Sequence, residues 1–278
     1  QEALAGPRRG RPAQQARRAR AAAARREAAL TTAQLWQPLN PPREEGDRSG
    51  SMVAQLLDFL VPLHLRRHGG VRAVVRSRLG DLIRGQVDAV HLSGDGWETR
   101  AGLTAQRLTV AALEGAKLSY SDLLGGRLVL TMPALGWAEA VFEPVDFGNF
   151  LVYGPVAAAA PTAGGRRITF EREGVEFDQV ARRVFFAARC MGKRVPFVLE
   201  AGVGDGDHVL ARVLGSTVEV PEAEALGAAV TRFFRTLLID LGGVELRFAA
   251  MSFDSFARLR LRLRATIRRI PNPLTDRI

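Results

Sequence analysis

Residues 257–269 read Ala-Arg-Leu-Arg-Leu-Arg-Leu-Arg-Ala-Thr-Ile-Arg-Arg, and the period of that stretch decides how the chain is read. In an extended chain successive side chains point to opposite faces. Leu259, Leu261, Leu263, Ala265 and Ile267 therefore form one apolar row, and Arg258, Arg260, Arg262, Arg264 and Arg268 form a basic one. A helix would scatter both sets around its axis, so the stretch is expected to be a strand. The leucine row needs a core supplied by other strands and helices. The guanidinium row has two readings: a polar outer face neutralised by Glu and Asp on neighbouring strands, or a surface that meets an anionic partner.

The chain has 278 residues, 47% of them hydrophobic and 24% charged, enough to bury one large core or two modest ones. Residues 1–50 hold ten Arg against five acidic residues, +5 of the formal +10, so the body is only mildly basic. The sequence pI of 11.1 is thus no nucleic-acid signature for the folded part. The single cysteine, Cys190, excludes an intramolecular disulfide and a cysteine-rich zinc site. No apolar run reaches the roughly eighteen residues of a spanning helix.

The Arg- and Ala-rich, acid-poor residues 1–50 resemble the end of an organellar transit peptide, with a chloroplast as the expected compartment. The alternative for this segment is a basic arm that binds RNA or an acidic partner. Residues 51–278 are expected to form one domain. From Ser51 the spacing of Val53, Leu56, Leu57 and Leu60 predicts a helix, interrupted at Pro62. A second helical phase is expected after Gly69-Gly70, with Val71, Val74, Val75, Leu79, Leu82 and Ile83 on one side.

Short runs of Val, Leu and Thr broken by glycine then predict antiparallel strands at 87–92, 103–113, 127–132 and 137–142. Ser93-Gly94-Asp95-Gly96 is read as a turn, Tyr120 to Leu124 as one helical turn, 144–151 as a short helix, and 157–165 as a linker. A second strand group is expected at 167–172, 175–178, 181–190, 194–200 and 209–214. Pro221, with Glu222 and Glu224 behind it, opens a helix whose stripe is Leu226, Val230, Phe233, Phe234, Leu237 and Leu238. Gly242-Gly243 is expected to end that helix. Residues 244–250 and the Arg/Leu stretch follow as the final strands.

Signatures of catalysis are missing from the sequence. There is no Gly-x-Ser-x-Gly elbow, no His-Glu-x-x-His and no phosphate loop; Gly94-Asp95-Gly96 lacks the flanking pattern of a nucleotide site. His64 and His68 have metal-compatible spacing but no third ligand, and Asp205, Asp207 and His208 sit where a hairpin turns. Cys190, inside an apolar strand, reads as a small core residue. No cofactor, metal site or catalytic residue is expected.

Three groups of residues carry a resemblance. They are Leu82-Ile83-Arg84-Gly85-Gln86-Val87 with Val90 to Gly94, Leu118 to Gly126, and Leu237-Leu238-Ile239-Asp240 followed by Val244-Glu245-Leu246 and Leu261 to Thr266. Over about residues 52–270 the chain resembles the LmeA-like phospholipid-binding family of actinobacteria, cyanobacteria and plastids. That resemblance implies an α+β fold of the tubular-lipid-binding kind, a curved antiparallel β-sheet packed on a few amphipathic helices, with an apolar groove for acyl chains. It implies phospholipid or glycolipid as partner and peripheral contact with an anionic thylakoid or envelope membrane. Arg258, Arg260, Arg262, Arg264 and Arg268 would meet the headgroups or the anionic surface. Leu226, Val230, Phe233, Phe234, Leu237, Leu259, Leu261 and Leu263 would line the acyl groove or the core. The alternative use of the same fold is as a structural subunit of a plastid membrane or ribonucleoprotein complex, with protein partners.

Overall fold

The Arg/Leu stretch is a strand, and it lies in the interior of the larger of two main sheets. The structure, a computed structural model, describes residues 65–77, 81, 86–114, 116–119, 128–203, 208–215, 220–241 and 243–270. All of them belong to one compact unit, Pro38–Ile278.

The first strand group is β1 (Leu65–Arg67), β2 (Gly70–Arg76), β3 (Gln86–Val87), β4 (Ala89–Thr99), β5 (Thr104–Glu114), β6 (Ala116–Leu118) and β7 (Leu128–Phe142). Helices α1 (Pro144–Val152) and α2 (Gly154–Ala158) follow. Next come β8 (Thr162–Ala163), β9 (Arg166–Arg167), β10 (Thr169–Phe170), β11 (Glu176–Asp178), β12 (Arg183–Cys190), β13 (Lys193–Val203) and β14 (His208–Val213). Helix α3 (Val220–Arg235), β15 (Leu238–Asp240), β16 (Val244–Phe253) and β17 (Leu259–Ile270) complete the order.

The large antiparallel sheet has the order β1-β4-β5-β7-β17-β16-β15, with β2 beside β1 on β4. The second runs β10-β12-β13-β14, with β11 on β12. Strand β17 pairs on one side with β7, Leu261 opposite Ala140, and on the other with β16, Leu261 opposite Met251. The last strand thus joins the first strand group to the C-terminal hairpin.

Its leucine row finds the cover that the alternation demanded. Leu259, Leu261 and Leu263 share one buried cluster with Phe186, Phe197 and Leu199 of the second sheet and with Leu226, Val230, Phe233 and Phe234 of α3. Phe234 lies in ring contact with Phe147, Phe170, Phe186 and Phe233, centroids 5.1–6.3 Å apart. Such edge-on and offset pairs add about 0.5–1.5 kcal/mol each beyond area burial. The observed class is α+β, dominated by antiparallel sheet.

Several expectations are corrected. Residues 70–76 form strand β2, not a helix. Val71, Val74 and Val75 are β-branched, and pairing with β4 from Gly70 opposite Asp95 to Arg76 opposite Ala89 outweighs their helical spacing. Gly94 and Gly96 lie within β4 rather than in a turn. A Cβ on Gly94 would strike the Gly70 carbonyl oxygen and the Trp97 indole, so the glycine permits close approach of an edge strand. The strands expected at 127–132 and 137–142 are one, β7, which runs through Pro133 and Gly136. At Gly136 a Cβ would meet the Ala111 carbonyl of the paired strand.

Residues 157–165 contain the end of α2 and one arm of the β8–β9 hairpin rather than a plain linker. Helix α3 stops at Arg235, before Gly242-Gly243, because Leu238–Asp240 pairs with β16. The expected helix from Ser51, residues 1–50, His64, Leu79, Leu82, Ile83, Tyr120 to Leu124, and Asp205 and Asp207 fall outside the described residues.

Candidate functional site

The basic row of β17 is built into ion pairs. Arg260 Nη2 lies 2.8 Å from Glu139 Oε2, and Arg262 also pairs with Glu139, its cross-strand neighbour on β7. Arg258 binds Asp254 at 2.7 Å, and Arg268 pairs with Glu245 of β16. Arg264 has its guanidinium carbon 5.7 Å from the centre of the Trp137 ring, within cation–π range. Arg262 is only 1% exposed, although it lies on the face opposite the leucines. The centre of the large sheet is therefore buried on both faces, with His91, Ala111 and Ala250 buried there too. Arg260, Arg262 and Arg264 share a strand face by register, whereas Arg258 precedes β17 and Arg268 sits at an irregularity in its pairing with β7; carboxylates and an indole of the same fold divide the five.

The apolar candidates are brought together. Leu226, Val230, Phe233, Phe234, Leu237, Leu259, Leu261 and Leu263 all belong to the closed core cluster, so they line the core. The groove lies on the other side of α3. Between that helix and β14, the free edge of the second sheet, runs a surface groove of about 940 Å³. Its walls include Ala211, Val213, Ala223, Gly227, Ala228 and Thr231.

Local chemistry builds this groove. A Cβ on Gly227 would stand 2.9 Å from the Ala211 carbonyl oxygen, so glycine lets the helix close on the strand. Thr231 Oγ1 accepts a hydrogen bond from the Ala211 N–H at 2.8 Å, and Arg235 Nε donates to the Val209 carbonyl at 3.1 Å. The helix thereby satisfies backbone groups that a sheet edge would otherwise present to another chain. Arg212, Arg232 and Arg235 line the groove together with one acid, Glu224. Arg212 lies 3.6 Å from Glu200, whereas among the described residues no carboxylate pairs with Arg232. The balance at this rim is cationic.

The sequence reading missed these residues because it followed the apolar stripe of α3. Ala223, Gly227 and Thr231 recur every four residues on the other face, a small-residue stripe that marks a helix side meeting backbone.

A second cavity of about 250 Å³ adjoins Cys190, Met191, Arg166 and Glu222. Burial pushes the Cys190 thiol up, the nearby Glu222 carboxylate adds to this, and Arg166 opposes it. Among the described residues no group of three His, Cys, Asp or Glu is placed to hold a metal ion. Likewise, no helix of the described residues is long and apolar enough to cross a membrane.

No family model and no curated protein matches the chain. Among solved structures it is similar to the crystal structure of the di-domain ARO/CYC StfQ from the steffimycin biosynthetic pathway, at 11% identity. That match covers 80% of this chain and 82% of the other, with a TM-score of 0.15. A TM-score of that size carries no argument about fold or activity.

Proposed function

We propose that this chain is a non-catalytic lipid-binding or lipid-transfer protein that holds acyl chains in an apolar groove and associates with an anionic membrane surface in a plastid. The observation that supports this reading is the groove of about 940 Å³ between α3 and β14, apolar along its walls and rimmed by Arg212, Arg232 and Arg235. Its volume falls in the range that accommodates a ligand of several hundred daltons. Each methylene removed from water there gains about 0.8 kcal/mol. Guanidinium groups at the rim suit a phosphate or carboxylate head. The plastid compartment rests on the composition of residues 1–50.

The arginine row carries neither a free phosphate site nor the membrane contact in this reading, since four of the five are ion-paired within the fold and Arg262 is buried. That same pairing favours the second reading, a structural subunit of a plastid complex, in which the row is an element of stability.

Native mass spectrometry of the purified full chain separates the two. The lipid reading expects a co-purified phospho- or glycolipid. Ala228→Trp, which fills the groove from an exposed helix position, should abolish that adduct without lowering the thermal midpoint. A chain that carries no lipid after gentle purification and extracts none from vesicles is not a lipid carrier.

A further inference from the structure

We propose that one end of the molecule is a membrane-docking edge, which seats Phe256, Val180 and Val145 in the interfacial layer of a phospholipid bilayer. These are the three most exposed large apolar side chains of the described residues, at 76%, 97% and 69%. They come from three separate segments. Val180 lies in the turn between β11 and β12, Phe256 in the turn between β16 and β17, and Val145 in the first turn of α1.

Backbone pairing and side-chain contacts bring the three together. The Gln179 side chain donates to the Asp254 carbonyl at 2.8 Å, joining the first two turns. Behind them Phe177 and Phe253 meet edge to face at 5.7 Å, and Phe147 reaches Phe177 at 6.3 Å. Leu259 is paired with Phe253 on one side and Phe142 on the other, so α1 starts at the end of the sheet where the β16–β17 turn lies.

Both turns are held rigid by the same device. The Asp178 carboxylate accepts from the Ala181 N–H at 2.9 Å, and Arg182 closes the turn at φ 53°. Asp254 accepts from the N–H groups of Phe256 and Arg258 at 2.8 and 3.0 Å, and Ala257 closes that turn at φ 61°. Turn centres ordinarily carry Gly, Asn, Asp or Ser. A single exposed apolar residue there needs no explanation, but three converging on one end do.

The chemistry selects a bilayer as occupant. The three side chains project separately from turns and a helix start, whereas a stable protein partner requires a continuous face of about 800 Å² on each side. Guanidinium groups stand beside the apolar tips: Arg182 is exposed two residues from Val180, and the Arg258 guanidinium, ion-paired to Asp254 at 2.7 Å, lies 5.0 Å from the Phe256 ring centre. An apolar tip with a guanidinium beside it matches acyl chain and phosphate in depth. Preformed turns also lose little conformational freedom on insertion. The proposal deepens the lipid-binding reading by naming the end that meets the membrane.

The test uses the full chain and vesicles of equimolar phosphatidylcholine and phosphatidylglycerol. Phe256→Trp serves as reporter, with the signal of Trp36, Trp97 and Trp137 subtracted using the wild-type protein. On vesicle addition its emission should shift to the blue and be quenched by brominated acyl chains. Val180→Ser with Phe256→Ser should lower vesicle partition at least about tenfold and leave the thermal midpoint unchanged, because both side chains already face solvent.

Unshifted, unquenched reporter emission overturns the proposal, as does a wild-type chain that ignores these vesicles or a double variant that binds them like wild type. Retained vesicle binding with lost self-association in sedimentation also overturns it, in favour of contact between copies. The two readings fail separately. Vesicle insertion without any carried lipid removes lipid carriage and leaves the docking edge; carried lipid with an uninserted reporter does the reverse.

Discussion

Glu139 holds two guanidinium groups at once, and one of them, on Arg262, is almost fully buried. A buried ion pair adds little over a well-packed apolar pair, but removing one partner strands a charge in a poorly solvated place. Glu139→Ala is therefore expected to destabilise the fold by about 3 kcal/mol, read as a drop in the urea midpoint at unchanged slope. Restoring apolar packing with Arg262→Met in the same chain should recover part of that loss; a double variant less stable than Glu139→Ala would show that Arg262 contributes mainly through its other contacts. Replacing Arg258, Arg260, Arg262 and Arg264 together with Gln tests the row as a whole. The sequence, with its untouched leucine face, suggests that folding survives this change. The ion pairs now predict a marked loss of stability, which circular dichroism during heating would detect.

At the scale of elements, the contact of α3 with β14 closes the second sheet. Thr231 is buried, and its hydroxyl accepts from the Ala211 N–H. Thr231→Val keeps the shape and removes the acceptor, leaving a buried donor whose desolvation costs about 1–3 kcal/mol. Thr231→Ser should retain most of the stability, and equal losses in the two variants would argue for methyl packing instead. Gly148 in α1 is a related case. Its missing Cβ leaves room for the Arg172 carbonyl, a backbone atom that cannot swing away. Gly148→Ala is expected to cost about 1–3 kcal/mol through overpacking, although alanine is the better helix former at an exposed position. A thermal midpoint equal to wild type would show that the 172–175 segment yields.

Across the whole molecule, stability should depend on acid in a defined sense. Burial alone would raise the Asp254 carboxyl, but hydrogen bonds from the Arg258 and Phe256 N–H groups and the Arg258 guanidinium hold it below its ordinary value. Glu171 is lowered by the Arg194 hydrogen bond, with burial opposing and Arg189 assisting. A depressed carboxylate contributes stability in full above its unfolded pKa, about 4, and loses it as pH falls through the lower folded value. The urea midpoint should hold constant from neutral pH to about pH 5 and fall below about pH 4. In Asp254→Asn the acid-induced fall should be shallower from a lower starting stability. The topology adds a second expectation at this scale. Because β17 lies between β7 and β16, removing residues 244–278 exposes the middle of the large sheet, and the remaining chain should not fold. A soluble fragment with native-like circular dichroism would show that the second sheet and the first strand group are independently stable.

What the sequence determined by itself was periodicity and its direct consequences. The alternation at 257–269 specified β17 and the leucine row that faces the core, and the stripe from Leu226 to Phe234 specified α3 and its buried side. Glycine-punctuated Val, Leu and Thr runs located most strands of both groups, because period and turn chemistry are local properties of the chain. Tertiary structure decided wherever a partner mattered. Val71 to Val75 became an edge strand because β4 was there to pair with, and Gly94 became a strand residue because Trp97 and Gly70 needed its missing Cβ. The same holds for the candidate sites. The alternating sequence offered five arginines as one row, but only strand pairing brought Glu139 and Glu245 to it, while Asp254 meets Arg258 locally, four residues away in the turn. The groove beside α3 and the cluster of Val145, Val180 and Phe256 unite residues far apart in the chain, and no local pattern encodes such a meeting.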